Sequence, residues 1–375
     1  MRRLLPVLAL ALGAVFVPSA GQADGCPPAT CGTTSTAPPG SSLVFVRPSG
    51  REGPLEAYSV NTGARLFRLL TYGLLSADGR TFLSSVPLQD RSTVRRWDAR
   101  SGRVVRRWSV RGYWGVGGAT PDGRVVAYVR GLQNALVLRI RGRRYILRGS
   151  FEVEAVSPDG RRIYLVHWRR HGYDLQQLDL TSGRLSPTRL DDPEEKMSGT
   201  AITAVATRDG HWLLTLYAKS SGGSFVHALD LRTGIAHCID LSVRGDYFAL
   251  GSTALTLSPD ERRLYLASPY LGRVTTVDLE RLEQVRVVRF RVPDAVVELA
   301  TAPSGAITAN GRMLAFSGGG SVWLYDTAYG VVRRAFRGTA PVRGIGFRPD
   351  GRSVLAIRAS AAPMAFDAAT GARLR

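Results

Sequence analysis

The sequence predicts an all-β protein made of eight successive four-stranded antiparallel units. Two recurring turns and the segments between them carry that prediction. The first turn is Asp78-Gly79, Asp122-Gly123, Asp159-Gly160, Asp209-Gly210, Asn310-Gly311 and Asp350-Gly351, with Asp260-Glu261 where another is due. Asp-Gly and Asn-Gly supply the positive φ values that a two-residue hairpin needs. Each is followed by an alternating run such as "RVVAYVR", "RRIYLVH", "RRLYLAS" or "RSVLAIR". Period-two alternation of Val, Leu, Ile and aromatic residues is a strand signal.

The second turn lies between the first ones. In "WDARSGRVVRRW", "LDLTSGRLSPTRL", "LDLRTGIAHCIDL", "YDTAYGVVRRAF" and "FDAATGARLR" an apolar residue precedes Asp, a glycine follows, and another strand starts. "VNTGARLFRL" has Asn in place of Asp, "VDLERLEQVRVVRF" lacks the glycine, and "LRIRGRRYILRG" keeps only the turn. Each period thus holds four strands. A lone four-stranded sheet leaves both faces wet. Stacking each unit on two neighbours covers them, and closing the series into a ring leaves only short edges. The expected architecture is therefore a β-propeller over residues 42–375. Its units start near residues 42, 74, 113, 151, 199, 248, 297 and 342. The first blade is incomplete, with three clear strands, "SLVFVR", "LEAYSV" and "ARLFRLL". A seven-bladed ring, with these strands completing the last unit, is the alternative.

The segments "SPDGRRIYLVH…LQQLDLTSGR" and "SPDERRLYLASPYLGRVTTVDLERLEQ" resemble the YVTN-repeat propellers of bacterial surface and secreted proteins. Trp97-Asp98, Leu178-Asp179, Leu229-Asp230, Val277-Asp278, Tyr325-Asp326 and Phe366-Asp367 resemble the Trp-Asp position of WD repeats more loosely, and the Gly-His pair of that family is missing. The resemblance implies a fold and leaves the activity unspecified.

The ends and the composition bound the rest. Residues 1–23 are read as a signal peptide. Arg2 and Arg3 precede an apolar stretch from Leu4 to Val17, and Ala20 and Ala23 are candidate cleavage positions. The stretch is short for a membrane span, and no later run is long enough. Residues 24–41, rich in Pro, Thr, Ser and Gly, are read as a tether. A Cys26–Cys31 disulfide is expected there, with a metal site as the weaker rival. Cys238 is expected to be a small buried hydrophobe. The net charge is +20, and 48 of the 50 basic residues are arginine. Because arginines occur in every repeat and form no basic tail, nucleic acid is not expected as the partner.

No nucleophile elbow, phosphate loop or dinucleotide fingerprint is present. No catalytic residue, cofactor or metal site is assigned. His167 and His171 flank "WRR" near Asp174, but on a strand and loop that spacing has no geometric meaning. His211 is expected to be exposed. His227 and His237 lie in strands without an evident carboxylate. The acidic run 191–196, "DDPEEK", lacks the Asp and Gly intervals of a calcium loop. Ser317 to Ser321 are expected inside a hairpin.

One positional pattern points to a surface. Arg80, Arg124, Arg161, Arg312 and Arg352 each follow a first-turn glycine, and Arg262 holds the matching place. Arg65, Arg103 and Arg184 follow second-turn glycines. Both turns join strands at the same end of a blade, so these arginines are expected to form one rim on one face. That rim is the candidate anionic-partner site. The expected function is a monomeric, secreted, non-catalytic binding scaffold for a protein or an anionic envelope or extracellular polymer. A lactonase-type hydrolase using the central channel and a surface-layer subunit are the alternatives.

Overall fold

A computed structural model of the chain describes residues 35–36, 41–46, 55–71, 73–88, 90–132, 134–169, 172–191, 198–245, 247–292 and 303–374. The segments read as signal peptide and disulfide lie outside them, as do His171 and residues 192–196. The described residues form an all-β propeller of eight blades. Their one helix is a single short turn, Tyr247–Gly251.

Each blade runs from the centre outward in chain order. Blade 2, for example, is Gly73–Leu75, Thr81–Pro87, Arg91–Asp98 and Arg103–Arg111. The radial position explains the composition of each strand. The middle strands of blade 5, Trp212–Ala218 and Ser224–Asp230, are almost wholly buried and mostly apolar, because neighbouring blades cover both faces. The outermost strands, such as Arg103–Arg111 and Val331–Arg337, are mostly exposed and arginine-rich. The innermost strands crowd together. At Gly305, a Cβ would sit 2.2 Å from the Thr256 hydroxyl of blade 6, so glycine is required by the close approach.

The buried apolar residues fall into eight clusters, one at each blade interface. Phe45 and Phe82 join blades 1 and 2; Val94 and Val137 join 2 and 3. Leu138 and Leu165 join 3 and 4; Tyr164 and Tyr217 join 4 and 5. Leu216 and Leu255 join 5 and 6; Tyr265 and Tyr325 join 6 and 7. Ala315 and Ile345 join 7 and 8. The eighth cluster holds Val44, Val46 and Val60 of blade 1 against Leu355 and Ile357 of blade 8. Eight blades stacked in an open row would have seven interfaces, so the eighth is the ring closure. The seven-bladed alternative is thereby set aside.

Blade 1 has the three expected strands, Leu43–Val46, Leu55–Ser59 and Arg65–Leu69. A short fourth strand, Ser35–Thr36, lies inside the segment read as tether. It pairs antiparallel with Leu43–Val46 and parallel with the innermost strand of blade 7, Gly305–Ile307. Blade 8 has three strands and a single bridge, Phe366 to Arg373, in the fourth place.

The first turn corrects the two-residue hairpin expected from Asp-Gly. In each of its occurrences only the glycine has positive φ, from +64° to +72°. The aspartate instead accepts hydrogen bonds. In blade 4, Ser157 Oγ donates to Asp159 Oδ1 at 2.6 Å, and the Arg161 N–H donates to the same oxygen at 2.9 Å. The Gly160 N–H donates to the Ser157 carbonyl. This is a four-residue loop built on a type I turn, closed by one left-handed residue. A true two-residue turn occurs at a second-turn position instead, at Arg141 (φ +47°) and Gly142 (φ +79°) in blade 3. Glu261 takes the glycine position in blade 6 with φ +58°. Its carboxylate accepts from the Arg208 backbone N–H at 3.0 Å and from its Nε at 2.9 Å, which ties the loops of blades 5 and 6 together.

Candidate functional site

Both turn families lie on one face. In blade after blade, the residue following the second-turn aspartate donates its N–H to the carbonyl of the residue following the first-turn glycine. Ala99 donates to Arg80, Leu180 to Arg161, Leu279 to Arg262, Thr327 to Arg312 and Ala368 to Arg352. The second-turn aspartates accept local N–H groups as well; Asp179 Oδ1 takes those of Thr181 and Ser182. The Ser101 hydroxyl and N–H at Asp98, and local N–H and hydroxyl groups at Asp179 and Asp367, hold these carboxyls below the usual carboxylate range. Burial opposes the shift at Asp122 and Asp159, where turn bonds and nearby arginines lower the value. The face therefore carries ionised aspartates interleaved with guanidinium groups.

Arg80, Arg103, Arg124, Arg161, Arg184, Arg262, Arg312 and Arg352 are all exposed on this face. Arg124 Nε lies 3.1 Å from Asp122 and Arg262 Nε 3.2 Å from Glu280. The other six form no ion pair among the described residues, so their guanidinium groups are free to meet an anion.

The histidines differ from their expected settings. His211 is half-buried, stacked on Trp212, with Nε2 3.4 Å from Asp230; the turn packs it against the second-turn aspartate, so it is not the exposed residue expected. His237 Nδ1 lies 3.1 Å from Asp191. His167 stacks on Phe151 at 3.9 Å, and Asp174, its cross-strand partner, pairs with Arg169 at 2.6 Å. Cys238 is a half-buried residue at the edge of the blade 4–5 cluster, less buried than expected. The hairpin at Ser317 to Ser321 is formed.

The pair the sequence did not reveal is Glu154 and His227. Glu154 lies on the innermost strand of blade 4, Ser150–Val156, and His227 on the third strand of blade 5. Both are fully buried, with Oε1 3.7 Å from Nε2. Neither carboxyl oxygen and neither ring nitrogen has a hydrogen-bond partner among the described residues. Burial pushes the Glu154 carboxyl up to about 8. Burial, with some help from His237, pushes His227 down to about 3. Among the described residues, no group of three or more His, Cys, Asp or Glu is placed to hold a metal ion. A cleft of about 250 Å³, counting its open mouth, lies between blades 5 and 6. It is mainly apolar, with Arg273, Ser268 and Thr275 on its wall. No helix among the described residues is long and apolar enough to cross a membrane.

Fold and face together define an eight-bladed β-propeller with an arginine-bearing turn face. Solved structures share that fold. Dipeptidyl peptidase 4 of Porphyromonas gingivalis superposes with a TM-score of 0.55 at 12% identity, over 92% of this chain and 59% of that one. The dihydro-heme d1 dehydrogenase NirN, solved with DHE, gives 0.54 at 17% identity, over 91% of this chain and 74% of that one. The Dos1 propeller gives 0.52 at 10% identity, over 90% and 92%. At these identities the likeness shows the fold alone. No protein-family model matches the chain, and no curated protein matches its sequence.

Proposed function

We propose that this protein is an exported, non-catalytic propeller that docks an anionic cell-envelope or extracellular partner on its turn face. One observation carries the reading. Arginines occupy equivalent positions around the ring, all exposed on one face, and six of the eight have no carboxylate partner among the described residues. Guanidinium is a rigid fork that matches carboxylate, sulfate or phosphate oxygens two at a time. The interleaved aspartates break the field into separate cationic points, which suits a partner whose anionic groups are spaced. Export rests on the leader-like residues 1–23, and the YVTN-like repeats fit a surface or secreted setting.

The test is a joint replacement, Arg80→Ala, Arg161→Ala, Arg312→Ala and Arg352→Ala, with binding measured against isolated anionic envelope polymer. The reading expects weaker binding by the variant. Unchanged binding removes the turn face as the docking surface.

A further inference from the structure

Arginine occurs in every blade, but its excess does not. Residues 91–150 contain fifteen arginines against two aspartates, a net of thirteen of the chain's twenty positive charges. They form the outer half of blade 2 and nearly all of blade 3. Strand register makes this concentration costly. Arg91 lies opposite Arg111, Arg95 opposite Arg107, and Arg96 opposite Arg106. In blade 3, Arg139 lies opposite Arg144. Like charges directly across a ladder are destabilising. By strand alternation Arg106 shares the blade 2 face of Trp108, and Arg139 and Arg144 share the blade 3 face of Tyr128, so these three border the crevice where the two blades meet; Arg96 is already engaged, its Nη2 donating to the Thr81 hydroxyl and the Asp122 carbonyl. The floor is fixed: Trp108 Nε1 donates to the Tyr128 hydroxyl at 2.7 Å, across the two blades. Arg106 and Arg139 both lie close enough to that hydroxyl to act on it electrostatically. Arg139 Nη1 also donates to the Arg111 carbonyl at 3.4 Å. Arg106, Arg139 and Arg144 form no ion pair among the described residues. Ile146, beside Arg144, is 57% exposed.

We infer that this crevice is a binding site for a linear acidic polysaccharide. It is separate from the turn face, and the inference rests on the proposed function only in taking the ligand to be anionic. The chemistry favours a sugar polymer over a nucleic acid. The Arg106 guanidinium sits over the Trp108 ring, 5.5 Å from its centroid, so that ring face is not open to a stacking base. What remains is a row of guanidinium forks beside an exposed aliphatic edge. Forks meet carboxylate or sulfate groups, and the edge meets the C–H faces of sugar rings.

The experiment measures binding of a heparin dodecasaccharide and of a single-stranded DNA dodecamer at equal ionic strength. It compares the wild type, the crevice variant Arg106→Gln/Arg139→Gln/Arg144→Gln and the turn-face variant above. The crevice variant is expected to lose about tenfold or more in saccharide affinity. The turn-face variant is expected to change it by less than about twofold, because those arginines lie outside the crevice. The crevice variant should also melt at or above the wild-type temperature, since like-charge repulsion is relieved. Full saccharide binding by the crevice variant overturns the inference, and a loss confined to the turn-face variant would then leave the turn-face reading standing. Tighter binding of DNA than of saccharide also overturns it. Absence of saccharide binding by the wild type overturns the inference, and the turn-face reading then stands or falls on the envelope-polymer measurement above.

Discussion

Glu154→Gln is predicted to stabilise the protein at neutral pH, although it replaces a wholly buried charge-capable group. Glu154 faces blade 5 with His227 Nε2 at 3.7 Å, which is beyond hydrogen-bond length. An ionised carboxylate there is neither solvated nor paired. Burial accordingly moves its pKa from 4.5 to about 8. A carboxyl with a raised folded pKa binds more protons in the native state than in the unfolded one. Stability from the protonated form is fully present below pH 4.5 and is lost as pH rises towards 8. The loss is about 1.4 kcal/mol per pH unit. Over the two and a half units from 4.5 to 7 it reaches about 3 kcal/mol. Glutamine keeps the neutral shape at every pH. Its advantage over the wild type should therefore be near zero at pH 4.5 and grow with pH to about that size at pH 7. Guanidinium unfolding of both proteins across this range reads the difference directly, because all other titrations cancel. A variant less stable than the wild type at pH 7, by an amount that does not vary with pH, would refute the reasoning. It would mean that folding does not raise the Glu154 pKa.

Three further outcomes follow from the same packing. His227 has a lowered folded pKa, so its own contribution to stability is lost as pH falls from 6.5 towards 3; His227→Gln should be more stable relative to the wild type the lower the pH, in the same unfolding series. At Gly346 a Cβ would lie 2.4 Å from Val44 Cγ2 and 3.1 Å from Val60 Cγ2, so Gly346→Ala should cost about 1–3 kcal/mol by overpacking the ring closure. Adding Val44→Ala should recover part of that loss, which a double-mutant cycle measures. Glu261→Ala loses the Arg208 contacts and keeps the left-handed backbone, whereas Glu261→Gly loses only the contacts; the glycine variant should be more stable by about 1 kcal/mol in thermal or denaturant unfolding.

The ring was legible because its cause repeats. Every first turn needs one left-handed residue and a side-chain acceptor for the local N–H groups, so Asp-Gly recurs in most periods even where the strands diverge. The turn type was misread for the same reason. Asp-Gly serves both a two-residue turn and a four-residue loop, and the loop here is set by the aspartate accepting local N–H groups, helped by an upstream hydroxyl as at Ser157 but formed without one at Arg348. Where an interaction replaces the glycine, as at Glu261, the signal fades. The Glu154–His227 pair was not legible. The two residues are far apart in the chain, and a register shift between Val153 and Ala155 breaks the alternation that would assign Glu154 a face. The arginine excess of residues 91–150 is visible as a count. That it forms in-register like-charge pairs and borders one crevice depends on strand pairing, which composition does not carry.

A built Cβ at Gly63 in blade 1 lies 3.2 Å from the Pro363 Cβ in blade 8, three hundred residues away in the chain. That separation is close to what a disulfide spans. Gly63→Cys/Pro363→Cys, mildly oxidised while native and mapped by peptide mass, asks whether blade 8 packs on blade 1. An intramolecular cross-link between these positions in the folded protein, lost when oxidation follows denaturation, is the predicted result. Two free thiols in the native protein would contradict the closed ring.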